Sequence, residues 1–259
     1  MPCDVSYELS GPAGAPVVVL SCSLGTDRTM WDPQLPALSE SFRVLRYDLR
    51  GHGASPVPSG PYSIAALGSD LVALLDRLEV QRAFLCGVSI GGMLSLWTAA
   101  HHPDRVERMA VCCTSAYIDP TGSYRERAAA VRADGMEPLA DAALERWFTA
   151  DFRLAHPDVA AHMRSVLVSI APEGYAGCCE ALADMDLRGD LPAVRAPTLV
   201  IVGDQDPATP PPHGALIAER VPGAHLKVVS PAQHLANIEQ SGRVTELILR
   251  HLTQRSPDE

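Results

Sequence analysis

Six short apolar runs, rich in β-branched residues, recur along the chain: VVVLS (17–21), FRVLRYD (42–48), AFLCG (83–87), RMAVCCT (108–114), TLVIVG (198–203) and LKVVS (226–230). Each is bounded by glycine, proline or polar residues, the signature of buried strands. Helical patterns lie between them, at SIAALGSDLVALLDRLEV (63–80), GGMLSLWTAAHH (91–102) and LANIEQSGRVTELILRHL (235–252). Strands alternating with helices predict an α/β fold, a mostly parallel sheet flanked by helices on both faces. The alternation fails only between 118 and 190. There SYRERAAAVRA, LADAALERWFTADF, DVAAHMRSVLVSI and EGYAGCCEALADM follow one another as helical pieces, with Pro157 and Pro172 among them. The expected organisation is a core of residues 1–117 and 191–259 with a helical lid, 118–190, over the C-terminal edge of the sheet, where open sheets bind ligands.

Charge and composition narrow the partners. The net charge is −10, with only 21 lysines and arginines in 259 residues and no basic run, so nucleic acid is a poor partner. A ligand bearing a carboxylate would need a local arginine to receive it. No stretch of about 18 apolar residues suits a membrane span. The N-terminal MPCDVSYELSGPAGAP lacks a basic region followed by an apolar one, and a cytoplasmic location is expected. The seven cysteines include the adjacent pairs Cys112–Cys113 and Cys178–Cys179, and none has metal-knuckle spacing. They read as reduced, mostly buried thiols, with no metal and no organic cofactor expected.

One local motif carries chemistry. CGVSIGGM (86–93) places Gly87, Gly91 and Gly92 around Ser89, at the point where a strand gives way to a helix. Gly-x-Ser-x-Gly in that setting is a nucleophile elbow; the blander alternative is a glycine-rich turn with a capping serine. A serine hydroxyl is a weak nucleophile and needs a base, which in turn needs an orienting acid. The expected chain order is serine, acid, histidine. Of the histidines after 190, His213 lies in the stiff loop DPATPPP, His225 begins a strand and His251 sits on the last helix. His234 follows a strand and precedes a helix at the same sheet edge as Ser89, and is the expected base. Asp204 and Asp206 both follow TLVIVG. Asp206, deeper in the loop and before Pro207, is preferred as the acid. The oxyanion donors are expected to be the N–H groups of Ile90 and of Leu24, in the loop CSLGTDRTMW, where Gly25 permits close approach. In YDLRGHGAS (47–55), Asp48, Arg50 and His52 read as stabilisers of a glycine-rich turn.

Together these residues resemble the α/β-hydrolase superfamily. SLGTDRTMWDPQLPAL, FRVLRYDLRGHGAS, CGVSIGGM, RVERMAVCCTSA, LERWFTADF, EGYAGCCEALADMDLR and HLANIEQ resemble more closely the 3-oxoadipate enol-lactonase family, nearly end to end. Two positions depart from the commoner superfamily pattern: Cys22-Ser23 replaces a His-Gly in the oxyanion loop, and Gln233 replaces a glycine before the histidine. The resemblance implies hydrolysis of a small lactone carrying a carboxylate, by a free-standing or separated lactonase domain, through an acyl-enzyme. A general carboxylesterase, a carbon–carbon bond hydrolase or a ligand-binding receptor on the same scaffold are the alternatives. For the substrate carboxylate the candidates are Arg28, Arg125, Arg127, Arg132, Arg146 and Arg153. Arg146 and the adjacent Trp147, as a pocket wall, are the expected binding pair.

Overall fold

The computed structural model describes residues 1–119 and 123–254. Seven strands form one sheet in the order β1-β3-β2-β4-β5-β6-β7. They are β1 (Tyr7–Ser10), β2 (Val17–Ser21), β3 (Arg43–Tyr47), β4 (Ala83–Val88), β5 (Val106–Cys112), β6 (Thr198–Gly203) and β7 (His225–Val229). β1 pairs antiparallel with β3, and all other pairings are parallel. The six apolar runs therefore supply the parallel strands. β1 was not expected from sequence: YELS is short, half polar and lies exposed to half-buried at the sheet edge, so it carries no apolar signature.

Every residue of β6 is buried, and so are the last four of β4 and the last five of β5. Consecutive buried positions point alternately to the two faces, so both faces must be covered. The covering helices are α1 (Leu35–Ser39), α2 (Ile64–Arg77) and α3 (Ile90–His101) before β5, and α9 (Pro211–Arg220), α10 (Ala236–Glu239) and α11 (Ser241–Leu252) after β6. α3 packs on β2, β4, β5 and α2, and α9 packs on β6 and β7; α1 and α11 pack together, α1 on β3 and α11 on β5 and β6. The single helix expected over 235–252 is two, broken at Gln240, whose φ of −121° and ψ of 48° leave the helical region. All seven cysteines are free and six are buried. Among the described residues, no helix is long and apolar enough to cross a membrane.

Between β5 and β6 lie α4 (Tyr124–Asp134), α5 (Ala140–Trp147), α6 (Ala150–Ala155), α7 (Pro157–Ser169) and α8 (Pro172–Ala183). Pro157 and Pro172 occupy the first positions of their helices, where a missing N–H breaks no bond. α4 runs along α8, and Arg132 bridges to Glu173 and Glu180 at 2.8 and 2.6 Å. α8 meets the core at the glycine-rich turn after β3. A Cβ on Gly174 would lie 2.2 Å from the Gly51 carbonyl oxygen, so backbone rests on backbone there.

Candidate active site

Because six parallel strands run side by side, the loops after β2, β3, β4, β5, β6 and β7 leave at one edge, and the site assembles there. Ser89 is the only residue between β4 and α3. Its φ of 56° and ψ of −122° put a side-chain-bearing residue in a left-handed conformation, at a cost of about 1–3 kcal/mol. The surroundings hold it: its N–H donates to the Cys112 carbonyl (2.9 Å), and its carbonyl accepts from Thr114 Oγ1 (2.6 Å) and the Met93 N–H (3.1 Å). The three glycines are contact points. A Cβ on Gly87 would sit 2.2 Å from the Gly91 oxygen, on Gly91 2.3 Å from the Ser21 oxygen, and on Gly92 2.7 Å from Thr114 Cβ. The Ser89 hydroxyl does not cap α3, so the capping reading does not describe it. Ile90 opens α3, and its N–H is among the helix's first amides, which have no intrahelical acceptor.

His234 lies in the loop after β7, with Nδ1 2.9 and 3.1 Å from the two carboxylate oxygens of Asp206. Asp206 Oδ1 also accepts from the Ala208 N–H (2.8 Å) and the Thr209 N–H (3.0 Å), and Oδ2 from Thr209 Oγ1 (2.8 Å). Burial alone would raise the pKa of this carboxyl. The adjacent imidazole and the Thr209 donors outweigh burial and hold it down at about 2. Asp204 turns elsewhere: it accepts from Ser230 Oγ (2.6 Å) and the Ala232 N–H (3.0 Å), bracing the loop that leads to His234. Of the two aspartates, Asp206 is the one paired with the histidine. His213 bonds Ser115 Oγ at 2.7 Å, His251 bonds the Pro197 carbonyl at 3.1 Å, and His225 is exposed on the edge strand.

Ser89 and His234 open on one recess together with Leu24, Arg146 and Trp147, so the structure brings these expected site residues to one place. Tyr124, Arg127 and Tyr175, from α4 and α8, complete its roof. The recess spans about 390 Å³ with its open mouth. Gly25, at φ +83°, carries the Leu24 loop beneath the inserted helices: a Cβ there would meet Leu167 at 2.8 Å and Trp147 at 3.2 Å.

The turn after β3 contributes more than its sequence reading. Asp48 does hold the turn, accepting from the Ala54 N–H at 3.0 Å. Arg50 instead reaches α2, where it pairs with Asp70 at 2.5 and 2.6 Å. His52 accepts the Gly25 N–H at Nε2 (3.2 Å), and its Nδ1 lies 3.3 Å from the Arg50 carbonyl. Burial pushes its imidazole down to about 4, so it is a neutral acceptor under the loop that carries Leu24.

The candidate arginines separate by partner. Arg28 pairs with Asp48, Arg125 with Asp184, Arg132 with Glu173 and Glu180, and Arg153 with Glu145. Arg127 and Arg146 both line the recess, and neither forms an ion pair with a carboxylate among the described residues. Arg127 stacks on the Tyr124 ring, 4.9 Å from its centroid. Burial, with the Arg127 guanidinium beside it, lowers the pKa of Arg146. Arg127 is one of the six sequence candidates but not the preferred one, and no local signal separates it from Arg125.

The comparisons agree with this architecture. Residues 15–241 match the family model described as the alpha/beta hydrolase fold. The 3-oxoadipate enol-lactonase 2 of Acinetobacter baylyi is 40% identical over 236 residues, covering 91% of this chain and 88% of its own. The crystal structure of the enol-lactonase from Burkholderia xenovorans LB400 aligns with a TM-score of 0.95 and 45% identity over 96% of both chains. A thermophilic esterase from Thermogutta terrifontis, solved with malate bound, aligns at a TM-score of 0.90 and 33% identity, over 96% of this chain and 92% of its own. This chain is an ester-bond hydrolase of the α/β-hydrolase superfamily, and within it belongs to the 3-oxoadipate enol-lactonase family.

Proposed function

We propose that the protein hydrolyses 3-oxoadipate enol-lactone to 3-oxoadipate, in the β-ketoadipate route of aromatic catabolism, by a Ser89–His234–Asp206 triad. One observation carries the substrate class: two arginines that have no carboxylate partner among the described residues line the recess that holds Ser89 and His234. A half-buried guanidinium is best satisfied by a carboxylate, and the lactone supplies one beside its reactive ring. The malate in the related esterase is likewise a carboxylate ligand.

In this reading Ser89 Oγ attacks the ring carbonyl carbon while His234 Nε2 takes its proton. Asp206 keeps the other imidazole proton on Nδ1 and balances the cation that forms. The N–H groups of Leu24 and Ile90 receive the oxyanion; one such donor is worth about 3 kcal/mol of barrier. Collapse breaks the ring C–O bond. The departing enolate oxygen takes the proton from His234, and the enol becomes the ketone, which draws the reaction forward. Water, deprotonated by His234, then cleaves the acyl-serine. Residues 118–190 act as a lid. Side chains of α4, α5 and α8, among them Tyr124, Arg127, Arg146 and Tyr175, line the recess the lactone enters.

The test is turnover of the enol-lactone, followed by ultraviolet absorbance, beside 4-nitrophenyl acetate and ring-fission dienes. A clear preference for the acidic lactone is expected. Equal or better turnover of the neutral ester would favour the carboxylesterase reading, and failure on all substrates the receptor. Arg127→Ala and Arg146→Ala are each expected to raise KM for the lactone by roughly tenfold to a hundredfold. Each should lower the preference for the lactone over 4-nitrophenyl acetate by the same factor. An unchanged KM in a folded variant would remove that arginine from the site.

His52 bears on the same chemistry through the Leu24 loop. His52→Ala leaves the Gly25 N–H without its acceptor. The expected result is a kcat about tenfold lower, with stability reduced by about 1–3 kcal/mol. Kinetics of 4-nitrophenyl acetate and urea unfolding measure the two; a wild-type kcat would show that the loop holds its place without the imidazole.

A further inference from the structure

We infer that Glu239 is a positioning residue, a buried carboxylate that holds the His234 loop and the cavity end of α5 in one frame. The inference rests on reading His234 as the base. Glu239 is the last residue of α10, five positions beyond His234, and is 9% exposed. Its Oε2 accepts the N–H of Gln233, the residue before His234, at 2.8 Å. Its Oε1 accepts the N–H of Thr149 at 3.0 Å and also the Thr149 hydroxyl. Thr149 lies two residues past the end of α5, whose last residues are Arg146 and Trp147, and it caps α6 through the Phe152 N–H at 3.2 Å.

A second set of bonds runs beside this clamp. The His234 N–H donates to the Arg146 carbonyl (3.4 Å) and the Leu235 N–H to the Trp147 carbonyl (3.1 Å). The last carbonyls of a helix have no partner within it, and here the histidine loop supplies their donors. The base and the carboxylate-binding end of the lid are thus one hydrogen-bonded unit, closed by a single side chain.

The chemistry of the clamp requires an anion. All three groups that face Glu239 are donors, and among the described residues it has no cationic partner. A carboxylate accepts on both oxygens. A glutamine of the same shape must turn an N–H toward the N–H of Gln233 or that of Thr149, and one side of the clamp opens. A displacement of about 1 Å in a reacting group can cost up to about a hundredfold in rate. Opening the Gln233 side shifts the base; opening the Thr149 side shifts Arg146.

Glu239→Gln is therefore expected to lower kcat for 4-nitrophenyl acetate about tenfold, and to raise KM for 3-oxoadipate enol-lactone about fivefold. Rates are expressed per active site titrated with a fluorophosphonate. Thr149→Val, which deletes the hydroxyl that donates to Glu239 and accepts the Phe152 N–H, is expected to raise KM for the lactone, and Thr149→Ser, which keeps both bonds, to restore it. A role confined to stability would lower the number of titratable sites and leave kcat and KM per site unchanged, and that result overturns the inference. His234→Ala is measured alongside. If it is inactive while Glu239→Gln behaves as wild type, the inference alone fails. If it keeps its activity, the reading of His234 as base fails and the inference with it.

Discussion

Ser89→Ala is expected to lower kcat for the enol-lactone by roughly 10⁵- to 10⁶-fold and to end covalent labelling by fluorophosphonates. The size follows from how the residue is built in. Ser89 sits at the junction of β4 and α3, where its backbone is forced to a positive φ and its hydroxyl is left uncommitted to the helix. Such a conformation persists only because Cys112, Thr114 and Met93 hold both its amide and its carbonyl. Alanine has the same Cβ and leaves that strain unchanged, so stability should move by no more than about 0.5 kcal/mol. What disappears is the attacking oxygen. The expected remainder, about 10³- to 10⁴-fold over water, comes from the oxyanion donors and from binding alone. A variant that kept a tenth of the activity would end the serine mechanism. Wild-type melting beside lost turnover would locate the defect in chemistry rather than in folding.

Features that depend on neighbours in sequence were legible, and features that depend on neighbours in space were not. The parallel strands announce themselves because each buries a short β-branched run between two helical layers. Ser89 announces itself because the elbow needs its glycines within three residues. His234 and Asp206 were reachable only through an assumed fold; depth in the loop and Pro207 favoured Asp206 over Asp204, but the difference between them is which side chain turns toward His234 and which toward Ser230. β1 escaped because an exposed edge strand needs no apolar face. Arg127 was a candidate but could not be singled out, because SYRERAAA carries nothing that ranks it above Arg125, while the packing of α4 on α8 sends Arg125 to Asp184 and Arg127 to the recess. The partner of His52 lies 27 residues upstream, and Thr149, one of the two partners of Glu239, lies 90 residues upstream. Such pairings exist only once the sheet has brought the loops to a common edge.

Asp206→Asn is expected to lower kcat about 10⁴-fold, against less than about tenfold for Asp204→Asn. The hydrogen bonds around Asp206 dictate the orientation of the new amide. Two backbone N–H groups, from Ala208 and Thr209, point at Oδ1, so the amide oxygen must take that place. The amide nitrogen is then left at Oδ2, which lies 2.9 Å from His234 Nδ1. It donates to Nδ1 and drives the imidazole proton to Nε2, the atom that has to accept from Ser89. The ring keeps its position and loses its function. Asp204 offers no such constraint: the Ser230 hydroxyl can rotate to accept from an amide, and the Ala232 N–H keeps an oxygen. Stability gives an independent measure. The pKa of Asp206 is about 2 in the folded protein against an ordinary 3.8, a depressed value. Its ionised form therefore contributes about 2 kcal/mol that is complete above pH 4 and is lost as the pH falls toward 2. Asparagine cannot titrate, so the difference in unfolding free energy between wild type and Asp206→Asn should shrink between pH 5 and pH 3. Urea denaturation at the two pH values measures it. A constant difference, or equal losses of kcat in the two asparagine variants, would show that Asp206 is not the carboxylate that orients the base.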